Sequence, residues 1–136
     1  MLRVGIRSVR SALGSRTFAN APAQEQAVSV AFKVQDLKDF DDRVKKSKVP
    51  VIVDFFATWC NPCRMLTPRI ESIIAEKQGK ILLAKVDIDE NSDLALDYEV
   101  GSIPVLIAMK DGKVLDRIVG LHDIDELKQF VDKYTE

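Results

Sequence analysis

A buried-strand pattern that runs directly into two cysteines constrains the fold more than any other stretch of this chain. Residues 51–57 read VIVDFFA, an apolar and β-branched run typical of a strand inside a parallel or mixed sheet. Residues 59–63 follow as WCNPC, and Pro62 suits the first turn of a helix. We therefore expect two thiols at the junction between a central strand and the N-terminus of a helix.

Strand-like and helix-like patterns alternate along the rest of the chain. Strands separated by helices imply parallel neighbours, whereas a closing hairpin adds antiparallel ones. We therefore predict an α/β domain with a mixed central β-sheet flanked by helices on both faces. The predicted elements are strands 28–34, 51–57, 81–88, 105–109 and 114–119, a hairpin turn at Asp111-Gly112, and helices that begin after Asp36, after the cysteine pair (ending near Gln78, before Gly79), near Asp93 and after Asp123.

Three of these helices have apolar stripes that should face the sheet. The predicted inward residues are Leu37, Phe40 and Val44 in the first helix, Leu66, Ile70, Ile73 and Ile74 after the cysteines, and Ile124, Leu127, Phe130 and Val131 in the last helix.

Charge is distributed unevenly along the chain. Residues 1–24 contain four arginines and no acid, so their charge is +4. The remaining residues hold 16 of the 20 basic side chains and all 21 acidic ones, a net charge of −5. A mildly acidic body without a basic block argues against a nucleic-acid-binding domain. No apolar run approaches the roughly 20 residues of a membrane helix, so no membrane partner is expected.

The N-terminal segment has the pattern of a targeting sequence. Residues 1–20 are rich in arginine, contain serine, lack acids and place apolar residues on one helical face, as organellar transit peptides do. A flexible basic tail is the alternative interpretation. Arg16-Thr17-Phe18 before Ala19 resembles the processing site of mitochondrial presequences. We predict a mitochondrial transit peptide at 1–18, a linker at 19–27 and a folded domain at 28–136.

The cysteine pair is compatible with several chemistries. A structural zinc site needs four ligands, and beyond the pair the chain offers only His122. Haem attachment needs histidine directly after the second cysteine, where Arg64 stands. A purely structural disulfide would close a very short loop and restrain little of the unfolded chain. A redox pair without a metal is the interpretation that we favour.

The position of each sulfur predicts its role. Unpaired backbone N–H groups and the helix dipole favour a thiolate ahead of the first turn, so Cys60 should attack and be the better exposed of the two. Cys63, one turn further in, should resolve the mixed disulfide. Asp54 is a third candidate, because a carboxylate in an apolar strand is costly to bury unless it has a partner or a function.

Five separated stretches of this sequence resemble the thioredoxin family. VDFFATWCNPC, AKVDID, SIPV, KDG and VGLH occur in the order and at the spacings of that family, over roughly residues 28–136. With the leader, the chain is similar to the mitochondrial members. The resemblance implies a thioredoxin fold and a monomeric protein-disulfide reductase of the mitochondrial matrix that needs no bound cofactor. It also implies electrons from NADPH through a thioredoxin reductase, and peroxiredoxins and other disulfide proteins as acceptors.

The resemblance also assigns roles to individual residues. Asp54 would act as a general base toward Cys63, and Lys85 would be the partner of Asp54. Residues Asn61 and Pro62 between the cysteines would tune the redox potential. Pro104 would lie in a cis-proline loop opposite the thiols. The expected substrate-binding rim is Trp59, Ile103, Pro104, Val119 and Gly120.

The chain departs from the commonest family pattern at three positions. Asn61 stands where glycine is usual, Phe56 where a second tryptophan is usual, and Val105 where threonine is frequent. Two other functions stay open: an oxidase or isomerase of the disulfide-isomerase type, and a binding module without redox turnover. Asn61-Pro62 argues against the first, because those proteins usually carry histidine between the cysteines. The intact pair and Asp54 argue against the second.

Overall fold

The central sheet has five strands in the order β1-β3-β2-β4-β5. A computed structural model describes residues 29–135. The predicted leader and linker, Val28 and Glu136 lie outside these residues. The elements are β1 (Ala31–Lys33), α1 (Leu37–Phe40) continued by a π-helical turn (Asp41–Lys45), β2 (Val51–Phe56), α2 (Asn61–Ala75), β3 (Leu82–Asp87), α3 (Ser92–Asp97), β4 (Val105–Lys110), β5 (Lys113–Val119) and α4 (Ile124–Asp132).

Strand β2 lies at the centre of the sheet, as its apolar sequence predicts. It pairs in parallel with β3, in the register Asp54 to Lys85, and antiparallel with β4, in the register Asp54 to Leu106. The carboxyl ends of β2 and β3 therefore meet the amino end of β4 at one edge of the sheet. The segment that carries both cysteines begins at this edge.

Two apolar cores pack against the two faces of the sheet. One core includes Phe40, Val44 and Leu94, so α1, its π-helical turn and α3 cover that face. The other includes Ile70 and Leu127, which places α2 and α4 on the opposite face. The predicted mixed sheet with helices on both faces is confirmed. No helix within residues 29–135 combines the length and the apolar content needed to cross a bilayer.

The hairpin between β4 and β5 turns at the predicted residues. Asp111 and Gly112 have φ values of 54° and 75°. Positive φ at both central positions is the geometry of a two-residue hairpin turn that matches strand twist, and Asp-Gly adopts it readily.

Some predicted boundaries and orientations were wrong. Ser29 and Val30 precede β1 rather than belonging to it, and α2 ends at Ala75 instead of near Gln78. Leu37 and Ile124 were expected to face inward but are 46% and 39% exposed. Both are the first residues of their helices, and in each case the buried stripe begins one turn later, at Phe40 and Leu127.

Candidate redox-active site

Cys60 and Cys63 are joined by a disulfide at the N-terminus of α2. Their Cα atoms are 5.3 Å apart, within the usual range for such a bond. The chain contains no other cysteine. The two sulfurs can therefore exchange electrons as a pair without interference from a third thiol.

Cys60 is the N-cap residue of α2, and this position controls its electrostatics. Its backbone is extended, with φ −91° and ψ 112°, and its Sγ accepts a hydrogen bond from the backbone N–H of Cys63 at 3.2 Å. Pro62 in the first turn has no N–H to satisfy, and no acidic residue occupies that turn. The N–H group and the helix dipole favour negative charge on this sulfur.

The exposures of the two cysteines differ less than expected. Cys60 is 5% exposed and Cys63 is 2% exposed. Both pack in a small apolar cluster with Ala57, against which Ile88 and Ile103 lie. A substrate disulfide must therefore reach a Cys60 sulfur that is almost entirely covered by its neighbours.

Arg64 and Asp89, which sequence reasoning did not single out as site residues, hold the loop before the disulfide. The Arg64 guanidinium donates two hydrogen bonds to the carbonyl oxygen of Thr58, at 3.1 and 2.9 Å. The Trp59 indole N–H donates to Asp89 Oδ2 at 2.9 Å, although the ring is 64% exposed. No local pattern reveals either contact, because Asp89 lies 30 residues from Trp59 and the acceptor for Arg64 is a backbone carbonyl.

The predicted rim residues come together at the same edge of the sheet. The Ile103–Pro104 bond is cis, as the resemblance implied, and Gly120 donates its N–H to the Pro104 carbonyl at 2.8 Å. Val119 pairs with Val105 next to this contact and is about half exposed. Ile103 reaches the cysteine cluster.

Asp54 is fully buried beneath the site. Its Oδ2 accepts a hydrogen bond from the Thr67 hydroxyl at 2.8 Å, whereas its Oδ1 has no hydrogen-bond partner among the described residues. Burial raises the pKa of Asp54 to about 6, against the opposing effects of the Thr67 hydrogen bond and the Lys85 charge. A carboxyl group that titrates near neutral pH can both take up and release a proton under ordinary conditions.

Lys85 does not form the expected direct pair with Asp54. The two are register partners on neighbouring strands, but the Lys85 ammonium pairs with Glu71 Oε2 of α2 at 2.7 Å. Glu71 and Thr67 are further residues that sequence reasoning missed. Their signal was helical spacing, since both follow Cys63 at intervals of four.

The described residues contain no group of three or more His, Cys, Asp or Glu side chains arranged to hold a metal ion. The chemistry assigned to the site from its own groups uses the two sulfurs, the Asp54 carboxyl and the helix N-terminus.

The fold and the site together define the class of thioredoxin-fold proteins with a redox-active Cys-x-x-Cys pair. The family model described as Thioredoxin matches residues 31–133. The chain belongs to the thioredoxin family.

Two mitochondrial thioredoxins are similar to this chain in sequence, and a solved thioredoxin structure is similar to it in fold. "Thioredoxin, mitochondrial" of Bos taurus is 51% identical over 105 residues, which cover 77% of this chain and 63% of the relative. The protein of the same name from Rattus norvegicus is 46% identical over 124 residues, 88% of this chain and 75% of the relative. The chain thus spans less than two thirds of the bovine protein. The structure of a mutant thioredoxin from Halobacterium salinarum superposes with a TM-score of 0.72 at 39% identity, covering 80% of this chain and 96% of that one.

Proposed function

We propose that this protein reduces disulfide bonds in other proteins through the Cys60–Cys63 pair. The observation that carries this proposal is the disulfide at the N-terminus of α2, with Cys60 as the N-cap and a buried, titratable Asp54 beneath it. A structural cross-link would need neither the helix N-terminus nor the carboxyl group.

The reaction begins with the dithiol form of the protein. The Cys60 thiolate attacks one sulfur of the substrate disulfide, so the substrate S–S bond breaks and its other sulfur leaves as a thiolate that takes up a proton. The product is a mixed disulfide. Asp54 then removes the proton of Cys63, and the Cys63 thiolate attacks the Cys60 sulfur. The second substrate sulfur leaves as a thiol, and the two electrons that the substrate gained come from the two thiols that now form the Cys60–Cys63 bond.

The apolar rim is proposed to hold an extended segment of the substrate next to Cys60. Trp59 and Val119 supply exposed apolar surface, and the partly buried Ile103 packs against the cluster that contains both sulfurs. Pro104 and Gly120 fix the backbone between these side chains through their hydrogen bond. Asn61 and Pro62, in the first turn of α2, are proposed to set the redox potential.

The cellular context is proposed from the leader and from the names of the relatives. Residues 1–18 are proposed to direct the chain to mitochondria, with a linker at 19–27 and the thioredoxin domain at 28–136. This agrees with the word mitochondrial in the names of the bovine and rat relatives. In the matrix, a monomer would receive electrons from NADPH through a thioredoxin reductase and pass them to peroxiredoxins and similar proteins, without a bound cofactor.

Replacing the resolving cysteine tests the assigned roles. In Cys63→Ser the mixed disulfide cannot be resolved, so the purified full-length variant should accumulate a covalent adduct with a disulfide substrate such as insulin. Catalytic turnover should fall by more than about a hundredfold, because the internal nucleophile is absent. The measurement is non-reducing electrophoresis and mass spectrometry after a single addition of substrate.

Cys60→Ser is the matched control and should form no adduct with the substrate. Near-normal turnover by Cys63→Ser would contradict the roles. The reduction potential of the wild-type pair separates the two enzyme classes: a value near roughly −270 mV supports a reductase, whereas one near roughly −180 mV supports an oxidase or isomerase.

A further inference from the structure

One face of α2 carries a row of functional side chains that begins at the disulfide. Cys63, Thr67 and Glu71 are spaced four residues apart, so they lie one above another on the helix. This face packs over β2 and β3. Thr67 contacts Asp54 on β2, and Glu71 contacts Lys85 on β3. The row thus lies over the two strand residues that are register partners.

We propose that Thr67 and Glu71 are positioning residues that set the charge of Asp54, Thr67 by holding one carboxylate oxygen and Glu71 by holding the Lys85 ammonium away from the other. The proposal deepens the proposed function and rests on it, because it concerns the base of the resolving step.

The contacts of Asp54 show why Lys85 matters. Its Oδ1 is buried and without a partner among the described residues. The adjacent strand places Lys85 in register with it, and neighbouring strands lie about 4.8 Å apart. Register partners on neighbouring strands are close enough for a lysine side chain to reach the carboxyl group, and an ammonium in contact with it would stabilise the carboxylate strongly in a buried site. Instead, the ammonium lies 2.7 Å from Glu71, at a partly exposed position.

Few other groups compete for Asp54. On the other neighbouring strand, β4, the register partner is Leu106, which carries no charge. Within residues 29–135, Lys85 and Glu71 are the charged groups whose fields shift the ionisation of Asp54, and Thr67 is its hydrogen-bond donor. Lys85 and Thr67 favour the carboxylate, whereas Glu71 disfavours it both by its own charge and by its hold on Lys85. Changing Thr67 or Glu71 should therefore have opposite effects on Asp54.

The test measures the ionisation of Asp54 directly, in the full-length oxidised protein, from the pH dependence of its ¹³C carboxyl resonance. Glu71→Gln should raise the acid ionisation constant of Asp54 about three- to tenfold, since the released ammonium can approach Oδ1. Thr67→Val should lower this constant by a similar factor, and Thr67→Ser should restore it. Glu76→Gln, an exposed acid just beyond the same helix, is the matched control and should change it less than about twofold.

A double variant isolates the path through Lys85. In a Lys85→Gln background, Glu71→Gln should have a much smaller effect, because there is no ammonium to release. The pH midpoint of mixed-disulfide resolution, followed in single turnovers, should shift with the ionisation constant. A purely structural role would lower the melting temperature without moving either quantity.

The outcomes separate this proposal from the proposed function. An Asp54 ionisation constant within about twofold of wild type in Glu71→Gln, or a shift in the same direction as in Thr67→Val, would overturn the positioning role. If the constant moves as expected but the protein reduces no disulfide, the proposed function fails and the control of the Asp54 charge stands.

Discussion

The carboxyl group of Asp54 has no contact with solvent, so its ionisation destabilises the folded state. Burial raises the pKa of Asp54 from its ordinary 3.8 to about 6, so the folded protein binds this proton more tightly than the unfolded chain does. The stability cost is therefore absent below about pH 3.8, grows as the pH rises, and is complete above about pH 6. The shift corresponds to a destabilisation on the order of 3 kcal/mol.

Replacing Asp54 with a neutral side chain should remove this pH dependence. Asp54→Asn should raise the free energy of unfolding by up to roughly 3 kcal/mol at pH 8 and by much less at pH 4, because Asn resembles the protonated acid. Urea unfolding at a series of pH values measures the difference. The exposed Asp93→Asn serves as the control. A constant difference between Asp54→Asn and wild type from pH 4 to pH 8 would contradict the buried titration.

The position of Asp54 was predictable, but its surroundings were only partly so. An acid within an apolar strand is visible in the sequence, and so is Lys85 in the next strand. The pairing of Lys85 with Glu71 was not foreseen, because it depends on how α2 lies across the two strands. Only the four-residue spacing from Cys63 through Thr67 to Glu71 hinted at it, and many exposed helix faces have such spacing.

At the level of elements, the start of α4 is defined by local hydrogen bonds. The Asp123 carboxylate accepts from the backbone N–H of Glu126 at 2.9 Å, and the Glu126 side chain accepts from the Asp123 N–H at 3.1 Å. This reciprocal pair is a capping box, which satisfies two backbone donors that the helix itself cannot. It fixes the first turn of a helix whose Leu127 and Phe130 complete one core.

Removing this cap should destabilise the protein without affecting the disulfide. Asp123→Ala should lower the free energy of unfolding by about 1 kcal/mol, whereas Asp123→Ser should retain most of it. Chemical denaturation of the oxidised protein provides the measurement. Equal stability of the alanine and serine variants would show that the side-chain oxygen does not cap the helix.

Element types were easier to predict than element ends. Apolar spacing identified most of the strands and α-helices that the structure describes, because each of these elements must bury one face. The π-helical turn after α1 was not predicted, since Phe40 and Val44 can both face inward in an α-helix or after one wider turn. The early end of α2 was also not predicted. Gln78 and Gly79 both have positive φ, and the spacing of apolar residues does not reveal where such a turn begins.

At the scale of the whole molecule, the reactive groups gather at one edge of the sheet from distant parts of the chain. The disulfide follows β2, the cis peptide bond precedes β4, and Gly120 follows β5. The described domain supplies this arrangement by itself, whereas targeting is proposed to depend on residues 1–18. The redox chemistry and the proposed targeting signal are therefore assigned to different parts of the chain.

Deleting residues 1–18 should change where the protein accumulates but not what it does. The shortened chain, expressed with a fluorescent tag at its C-terminus, should remain in the cytosol, and the purified shortened chain should reduce insulin at the wild-type rate. Replacing Arg3, Arg7 and Arg10 with glutamine in the full chain should have the same effect on localisation, because the positive charges are lost. Mitochondrial accumulation of both variants would contradict the leader.

The Trp59 indole at the rim is a single tryptophan fluorophore next to the reactive pair in sequence. The chain contains one tryptophan, Trp59, and it lies next to Cys60 in sequence. All tryptophan emission therefore originates from a single residue, which directly precedes the reactive Cys60, is hydrogen-bonded to Asp89 and is open to solvent. For a partner that contains no tryptophan, docking on this ring should be visible as a change in emission without a label, in single turnovers where sulfur exchange is followed separately.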